Sequence, residues 1–159
     1  MKPSQPVTLI GAIPSPYTRK MVALMRYRRI PYSIIWGEPR QILSSMKIEP
    51  PKVALLPTFV LPDDLGVLQA VCDSTPIIRY LEEHYNQRSV IPDDPATAFI
   101  DYMLEDFGDE WCTKYMFHYR WAFEQDADNA GTLLPYTHKV DMPKQIFQLA
   151  KAQISQRQI

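Results

Sequence analysis

The residues best suited to chemistry stand at the starts of two predicted helices. Ser15 follows a short apolar strand, Val7–Ala12, and precedes Pro16. Serine is favoured at a helix N-cap, where its hydroxyl accepts backbone N–H groups, and proline suits the first helical position. The pair Asp73 and Ser74 opens a second helix in the same way. Free N–H groups at such a helix start bind a carboxylate, and an aspartate can also pair with an ammonium group.

The cysteines give no framework of cross-links. Cys72 and Cys112 are the two cysteines of the chain, a number that fits a reducing cytosol or inert buried thiols. Cys72 directly precedes the Asp73-Ser74 pair. It is predicted to be a small buried hydrophobic residue, with a reactive thiol as the alternative.

Metal binding is not predicted. His84, His118 and His138 have no metal-ligand spacing with one another or with the cysteines. The carboxylates of the stretch 105–110 recur at i, i+4 positions, which is typical of a solvated helix face.

Composition excludes several classes of protein. The chain has 159 residues, a formal net charge of −1 and 46% hydrophobic residues, which is ordinary for a globular protein. Near-neutral charge gives no electrostatic basis for binding nucleic acid or an anionic membrane. The cluster Arg26, Arg28 and Arg29 instead suits the dipole at a helix C-terminus. No glycine-rich nucleotide motif occurs.

No targeting or membrane segment is predicted. The apolar run Val7–Ile13 is interrupted by Thr8 and Gly11 and is followed by Pro14. It is too short for a signal peptide, and no stretch approaches the roughly 18 apolar residues of a membrane span. A cytoplasmic location is therefore predicted.

The elements that must position these residues begin with a βαβ unit. A helix over about Pro16–Arg29 follows the first strand, and Pro31 ends it before a second strand, Tyr32–Trp36. Strands joined by a crossover helix should be parallel. A short helix over Gln41–Lys47 comes next.

Two further strands and a helix complete the first half. Leu56–Leu61 and Gly66–Val71 read as strands joined by a hairpin turn, and Thr75–Tyr85 has one apolar helical face. The predicted order is β-α-β-α-β-β-α.

The second half is predicted to be helical. A polar linker, Gln87–Pro95, leads to a helix over Ala96–Phe123, which Gly108 kinks or divides. Asp126–Met142 is predicted to be a loop, and Pro143–Gln158 a final amphipathic helix. An aromatic row is predicted to be mainly core or interface and comprises Phe99, Phe107, Trp111, Tyr115 and Trp121.

In combination these motifs resemble the glutathione S-transferase superfamily. Ser15-Pro-Tyr-Thr-Arg19 is similar to the family's Ser/Cys-Pro-x-x turn, and Leu56-Pro57 stands where the family places its cis-proline loop. Asp73-Ser74 is similar to the acidic-serine pair that opens the family's third helix. The stretch Leu104–Trp111, with His118–Trp121, resembles the first long helix of the family's helical domain. The N-terminal resemblance covers roughly residues 5–86.

The resemblance implies a fold, a domain division and a partner. It implies an α/β thioredoxin-like domain over 1–86, with a mixed four-stranded sheet, then a linker over 87–95. An all-α domain over 96–159 follows, shortened relative to the family. The resemblance also implies a homodimer with glutathione bound at each thioredoxin-like domain. The loop Pro50–Leu56 lacks the family's frequent Asn-Pro-x-Gly, so the family's contacts from that loop carry over poorly.

The resemblance further implies a catalytic residue. Ser15 would stabilise the glutathione thiolate, because a hydroxyl and a helix N-terminus meet at that position. The simpler interpretation, that Ser15 only caps the helix, is compatible with this role through different atoms. Tyr17 and Thr18 are rival hydroxyls. With Ser15 and Thr18 in place of cysteines, the turn cannot run a CxxC redox cycle.

The remaining glutathione contacts are implied in the same way. Asp73 and Ser74 would hold the γ-glutamyl group. Pro57, if cis, would present the Leu56 backbone to the peptide, as an added strand would. Lys52 would reach the glycyl carboxylate, although a solvated loop lysine is the simpler interpretation.

The function predicted from this resemblance is that of a glutathione transferase acting on a small electrophile. One alternative is a non-catalytic interaction module with the same fold. Another is a glutathione-dependent reductase, which would need Cys72 as its active thiol.

Overall fold

The computed structural model describes residues 6–137, 139 and 141–158. Within this part of the chain, two compact units are separated between Ser89 and Val90. Tyr136 and Thr137 are grouped with the first unit.

The first unit is built on a mixed sheet. Its strands are β1 (Val7–Gly11), β2 (Tyr32–Trp36), β3 (Thr58–Pro62) and β4 (Leu68–Cys72). Among the described residues these four strands pair in the order β2-β1-β3-β4. β1 and β2 are parallel, and β3 is antiparallel to both β1 and β4. The predicted βαβ unit and hairpin are thus confirmed.

Helices alternate with these strands in the predicted order. They are α1 (Pro16–Arg28), α2 (Pro39–Ser45) and α3 (Ser74–His84). The predicted short helix at Gln41–Lys47 begins earlier, because Glu38 caps it by accepting the N–H of Gln41 at 2.8 Å. Pro39 occupies the first helical position, as its fixed φ favours. The first unit is a thioredoxin-like domain.

The core of this unit lies on both faces of the sheet. Ile10 and Val60 pack with Leu43 of α2 on one face. Since successive side chains of a strand point to opposite faces, Leu9 and Phe59 lie on the other. Both are fully buried. The remaining fully buried core side chains of α1 and α3 are those of Met21, Met25, Ile77 and Leu81.

A buried cation links the C-terminal ends of α1 and α3. Arg28 is 1% exposed, and its Nη1 lies 2.9 Å from Glu82 Oε1, a close ion pair without hydrogen-bond alignment. Its Nη2 donates to the carbonyl of Tyr85, and its Nε donates to the carbonyl of Gln87 at 3.4 Å. Of the three arginines in the predicted basic cluster, Arg28 is therefore buried, while Arg26 and Arg29 are exposed.

The second unit is helical. Its elements are α4 (Pro95–Asp106), a π-helical turn (Phe107–Trp111), α5 (Cys112–Trp121), α6 (Glu124–Leu133) and α7 (Lys144–Gln158). A 3₁₀ turn (Leu134–Thr137) follows α6, and its last two residues are those grouped with the first unit. Asp94 caps α4 by accepting hydrogen bonds from the hydroxyl and the N–H of Thr97, which lower the pKa of its carboxyl. The π-helical turn contains Gly108 and divides the predicted long helix there.

The prediction of a loop over Asp126–Met142 is wrong, because α6 occupies much of it. Ala127 and Ala130 of α6 pack with Trp121. At Gly131 a Cβ would lie 2.6 Å from Ser155 Oγ of α7, so these helices approach closely. Asp, Asn and Gly have weak helix propensity, and packing against neighbouring helices overrides it.

The aromatic row of the second unit is mostly exposed. Within the described residues Trp121 is buried, while Phe99, Phe107, Trp111 and Tyr115 are each about half exposed, with values from 47% to 62%. The prediction of core positions is wrong for these four residues, and an interface role for them remains a prediction.

Candidate active site

Strand pairing brings distant segments to one end of the sheet. Ile10, near the end of β1, lies opposite Thr58 at the start of β3, and Thr58 lies opposite Cys72 at the end of β4. The chain therefore leaves β1, enters β3 and leaves β4 at the same end. The segment after β1 carries Ser15, and the segment before β3 carries Leu56 and Pro57. The segment after β4 carries Asp73 and Ser74.

Hydrogen bonds hold the segment between β1 and α1, residues 12–15, at every position except Pro14. Ser15 N–H donates to the carbonyl of Ala12 at 3.1 Å. Ala12 N–H donates to Thr18 Oγ1 at 3.3 Å, and Arg19 Nε donates to the carbonyl of Ile13 at 3.0 Å. A side chain carried by this segment is consequently positioned before any ligand arrives.

Ser15 is the N-cap of α1. Its backbone is extended, with φ −79° and ψ 119°, and its Oγ accepts the N–H of Thr18 at 3.2 Å. This bond uses a lone pair of the oxygen and leaves the hydroxyl hydrogen able to donate to an anion. Ser15 is half-buried, and the capping interpretation of its side chain is confirmed.

Thr18 is not a rival for that role. It is 1% exposed, and its hydroxyl oxygen faces the N–H of Ala12. A Cβ at Gly11 would lie 2.5 Å from Thr18 Cγ2, so the threonine packs directly on the end of β1. The structure makes Thr18 a link between β1 and α1. Tyr17 is half-buried in the first turn of α1.

The peptide bond between Leu56 and Pro57 is cis, as the resemblance implied. Pro57 is fully buried and Leu56 half-buried. Thr58 Oγ1 donates to the carbonyl of Leu55 at 2.7 Å, which holds the chain where it enters β3. Lys52, earlier in this loop, has an exposed side chain that makes no hydrogen bond with the described residues.

Asp73 and Ser74 open α3. Asp73 is exposed, and its Oδ1 accepts the N–H of Thr75 at 3.2 Å. Its φ of 81° with ψ of 120° lies in a region that side chains other than glycine rarely adopt, at a cost of about 1–3 kcal/mol. Backbone strain of this kind clusters at functional sites. Ser74 is 5% exposed and occupies the first turn.

The comparison with known families decides the identity. The protein-family model described as "Glutathione S-transferase, N-terminal domain" matches residues 9–89, just over half of the chain. The chain belongs to the glutathione S-transferase family. A search of curated proteins by sequence gives no match.

Solved structures of glutathione S-transferases share the fold at low identity. The tau-class enzyme of mango, Mangifera indica, is 17% identical with a TM-score of 0.52, over 96% of this chain and 59% of that one. A transferase from Methylobacterium radiotolerans, in complex with glutathione sulfonate, is 20% identical with a TM-score of 0.51, over 95% and 64%. This chain therefore spans less than two thirds of the length of either.

A maleylacetoacetate isomerase from Anaeromyxobacter dehalogenans is also similar. That structure holds dicarboxyethyl glutathione and citrate in its active site. It is 12% identical with a TM-score of 0.54, over 98% of this chain and 79% of the isomerase. At these identities the likeness concerns the fold.

Lys20 is a further residue of the candidate site, and sequence reasoning missed it. Its Nζ donates to Ser74 Oγ at 3.1 Å, so a half-buried ammonium group of α1 contacts the first turn of α3. The two residues are 54 positions apart, and no local pattern relates them. The sequence signal that could have found it is its place one turn beyond Pro16, which puts the two residues on the same face of α1.

Cys72 has a structural contact beside the same site. It is half-buried at the end of β4, and its Sγ donates to the carbonyl of Val53 at 3.2 Å. This bond holds the loop that precedes Pro57. Cys72 is thus less buried than the prediction of a core hydrophobic residue required.

The described residues contain no group of three or more histidine, cysteine or acidic side chains able to hold a metal ion. His84 and His118 are exposed, while His138 lies outside the described residues. None of the described helices combines the length and hydropathy needed to cross a bilayer.

Proposed function

We propose that this glutathione S-transferase binds glutathione at the shared end of β1, β3 and β4 and activates its thiol for attack on a small electrophile. The position of Ser15 carries the proposal. Its hydroxyl stands at the N-terminus of α1, at the same end of the sheet as Leu56-Pro57 and Asp73-Ser74. A hydroxyl donor and a helix N-terminus at one point suit a sulfur anion.

The energetic requirement at Ser15 can be met by the groups present. A free thiol has a pKa of about 8.5 and is mostly protonated at neutral pH. Lowering that pKa by two units requires about 2.7 kcal/mol. A helix N-terminus contributes about 0.3–1 kcal/mol, and up to about 2 kcal/mol where it is partly buried. A hydrogen bond to a charged group adds about 1.5–3 kcal/mol. Together the two effects suffice.

The start of α3 offers opposite charges to the two ends of a γ-glutamyl group. The exposed carboxylate of Asp73 can pair with the ammonium group. The Ser74 N–H, the Ser74 hydroxyl and the Lys20 ammonium can bind the carboxylate, whereas the Thr75 N–H is taken by Asp73. Lys20 and Ser74 are already joined, so little ordering is required on binding.

The other end of the tripeptide would meet the loop before β3. In the proposed complex the Leu56 backbone pairs with the cysteinyl residue of glutathione, and Lys52 approaches the glycyl carboxylate. Because Lys52 is exposed, its contribution should be small, as is usual for solvated ion pairs.

Glutathione should stabilise the protein against unfolding. At a glutathione concentration 100 times its Kd, we expect the free energy of unfolding to rise by about 2.7 kcal/mol. Urea or thermal unfolding with increasing glutathione measures it, and Lys20→Met should shift the dependence to higher concentrations. Arg40→Met, on the exposed part of α2, is the matched control. The absence of any shift at millimolar glutathione would favour the non-catalytic module.

Asp73→Gly should stabilise the fold while weakening glutathione binding. Relief of the positive φ gains about 1–3 kcal/mol. A glycine cap loses a few tenths of a kcal/mol, and its freer unfolded state loses about 0.4–1 kcal/mol. The net gain in unfolding free energy should be about 1 kcal/mol.

Asp73→Asn is the control for this variant, since it keeps the backbone strain and the cap but removes the charge. It should match the parent in stability and match Asp73→Gly in its weaker glutathione binding. A loss of stability in Asp73→Gly would show that the backbone of Asp73 is unstrained.

The homodimer implied by the resemblance and the cytoplasmic location predicted from the sequence belong to the same proposal. Exposed apolar side chains of α4 and α5, such as Phe99 and Tyr115, provide a surface that a second copy can cover. Free thiols at Cys72 and Cys112 suit a reducing compartment.

A further inference from the structure

The outer edge of β2 is unpaired, because β2 stands at the end of the order in which the described strands pair. Two hydrogen bonds to β1 show which of its backbone groups face outward. The carbonyl of Pro31 accepts the N–H of Val7 at 3.0 Å, and the N–H of Gly37 donates to the carbonyl of Gly11 at 3.1 Å. In a strand the backbone groups of successive residues point alternately to its two sides. The groups of the odd-numbered residues therefore face β1, and those of the even-numbered residues face outward.

These outward-facing groups belong to Tyr32, Ile34 and Trp36. Native proteins usually blunt an edge strand with a lysine, a proline or a bulge, which prevents its pairing with another chain. β2 has none of these features, since its five residues are uncharged, include no proline and keep a continuous register with β1. Ile35 and Trp36 are also 38% and 44% exposed. β2 is thus an unprotected and mainly apolar edge.

We propose that β2 pairs with β2 of a second copy of this chain, antiparallel about a two-fold axis at Ile34. In this register Ile34 lies opposite its own counterpart, and Tyr32 of each copy lies opposite Trp36 of the other. The outward groups then form about six hydrogen bonds between the copies. A shift by two residues would leave one of the three outward pairs unmade, so the central register is favoured.

The side chains of this register are also complementary. Tyr32 and Trp36 share the face of β2 that looks toward α1, so both Tyr–Trp pairs lie on that face, and cross-strand aromatic pairs stabilise a sheet. Arg26 donates its Nε to the Tyr32 hydroxyl at 3.1 Å, so its guanidinium approaches the indole of the opposite Trp36. Glu38, two residues beyond Trp36, reaches the end where Arg29 precedes β2 of the other copy, and their charges are opposite.

The strength of the pairing is limited by one charge and by its size. Arg19 lines the α1 face together with Trp36, so Arg26 of the other copy brings a like charge near it. Both arginines are exposed, and salt therefore screens this repulsion. Each copy contributes a strand of five residues and a few neighbours, against about 20–30 residues a side in a standard interface. The association should therefore be weak and require a high protein concentration.

The test is sedimentation equilibrium of the whole protein from micromolar to millimolar concentration, with two variants of Ile34. Ile34→Pro removes an outward N–H and leaves the bonds to β1, because proline is tolerated on an edge strand where the N–H faces solvent. It should abolish the association. Ile34→Val keeps that N–H and should retain the association. A dimer formed through α4 and α5 would survive in both variants, so only the step that Ile34→Pro removes reports on β2.

A charge exchange at the two-fold axis tests the register. Ile34→Lys and Ile34→Glu each set like charges opposite each other, with about 5.5 Å between the Cα atoms. Each variant alone should therefore lose the association, because like charges directly opposite destabilise a strand pair. An equimolar mixture of the two variants should recover it. Recovery also shows that both variants are folded, since an unfolded chain could not restore the pair.

Amide hydrogen exchange gives a second measurement on the unmodified chain. The N–H groups of Tyr32, Ile34 and Trp36 should exchange more slowly at millimolar than at micromolar concentration. Those of Ser33 and Ile35 face β1 and should be slow at both. A mass independent of concentration, association that Ile34→Pro leaves intact, or a mixture without recovery would overturn the pairing. None of these results depends on glutathione.

Discussion

Replacing Ser15 with aspartate should abolish most glutathione transfer while α1 stays as well capped as before. Aspartate accepts backbone N–H groups at an N-cap as well as serine does. Its carboxylate has no hydrogen to donate at neutral pH, and it repels a sulfur anion. The loss of a charge-assisted hydrogen bond of about 1.5–3 kcal/mol corresponds to a fall in turnover of roughly 10- to 150-fold.

The measurement is turnover of glutathione with an activated aryl halide, together with the ultraviolet absorbance of the bound thiolate against pH. Both Ser15→Asp and Ser15→Ala should raise the pKa of the bound thiol. Ser15→Ala should in addition lose about 0.5–2 kcal/mol of stability, because the cap is removed. Ser33→Ala, on the exposed edge strand β2, is the matched control. Unchanged turnover and thiol pKa in both Ser15 variants would remove Ser15 from the mechanism.

Local chemistry made much of the first unit predictable. Helix starts are signalled by residues that cap them, as at Ser15 and Asp73, and the structure contains both caps. The strands of the βαβ unit and of the hairpin have apolar patterns bounded by proline and glycine. These two motifs predicted that β1 is parallel to β2 and that β3 pairs with β4, and the sheet contains both pairs.

Long-range contacts account for what the sequence did not predict. The bond between Lys20 and Ser74 joins residues whose only relation is the packing of α1 beside α3. The helix α6 has weak intrinsic propensity and is fixed by Trp121 and α7, which local reasoning does not see. The exposed aromatic residues of α4 and α5 fit a helical pattern in sequence, but periodicity does not state what covers a face.

The burial of Arg28 had a signal in the sequence that was not used. Arg28 lies seven residues after Met21 and three after Met25, on the same face of α1, and both methionines are fully buried. Its charge was interpreted only as suiting the dipole at the C-terminus of the helix. The structure places it beneath the end of α3, where its guanidinium forms an ion pair with Glu82 and donates hydrogen bonds to two backbone carbonyls.

Arg28→Met should destabilise the first unit by about 3–5 kcal/mol, because it leaves a partly buried carboxylate at Glu82 without its partner. It also removes the donors to the carbonyls of Tyr85 and Gln87. A loss of this size is a large part of the roughly 5–15 kcal/mol that holds a typical domain folded. Urea unfolding followed by far-ultraviolet circular dichroism measures it.

The double variant Arg28→Met with Glu82→Leu separates the ion pair from the carbonyl contacts. Replacing both partners of a buried pair by apolar side chains is often neutral, so this variant should recover part of the loss. What it does not recover reports the lost donors to the carbonyls of Tyr85 and Gln87. Arg29→Met, at the exposed neighbouring position, should stay within about 0.5 kcal/mol of the parent. Equal effects at Arg28 and Arg29 would mean that the guanidinium of Arg28 is solvated, and α1 and α3 would then be joined by the apolar core and the bond between Lys20 and Ser74.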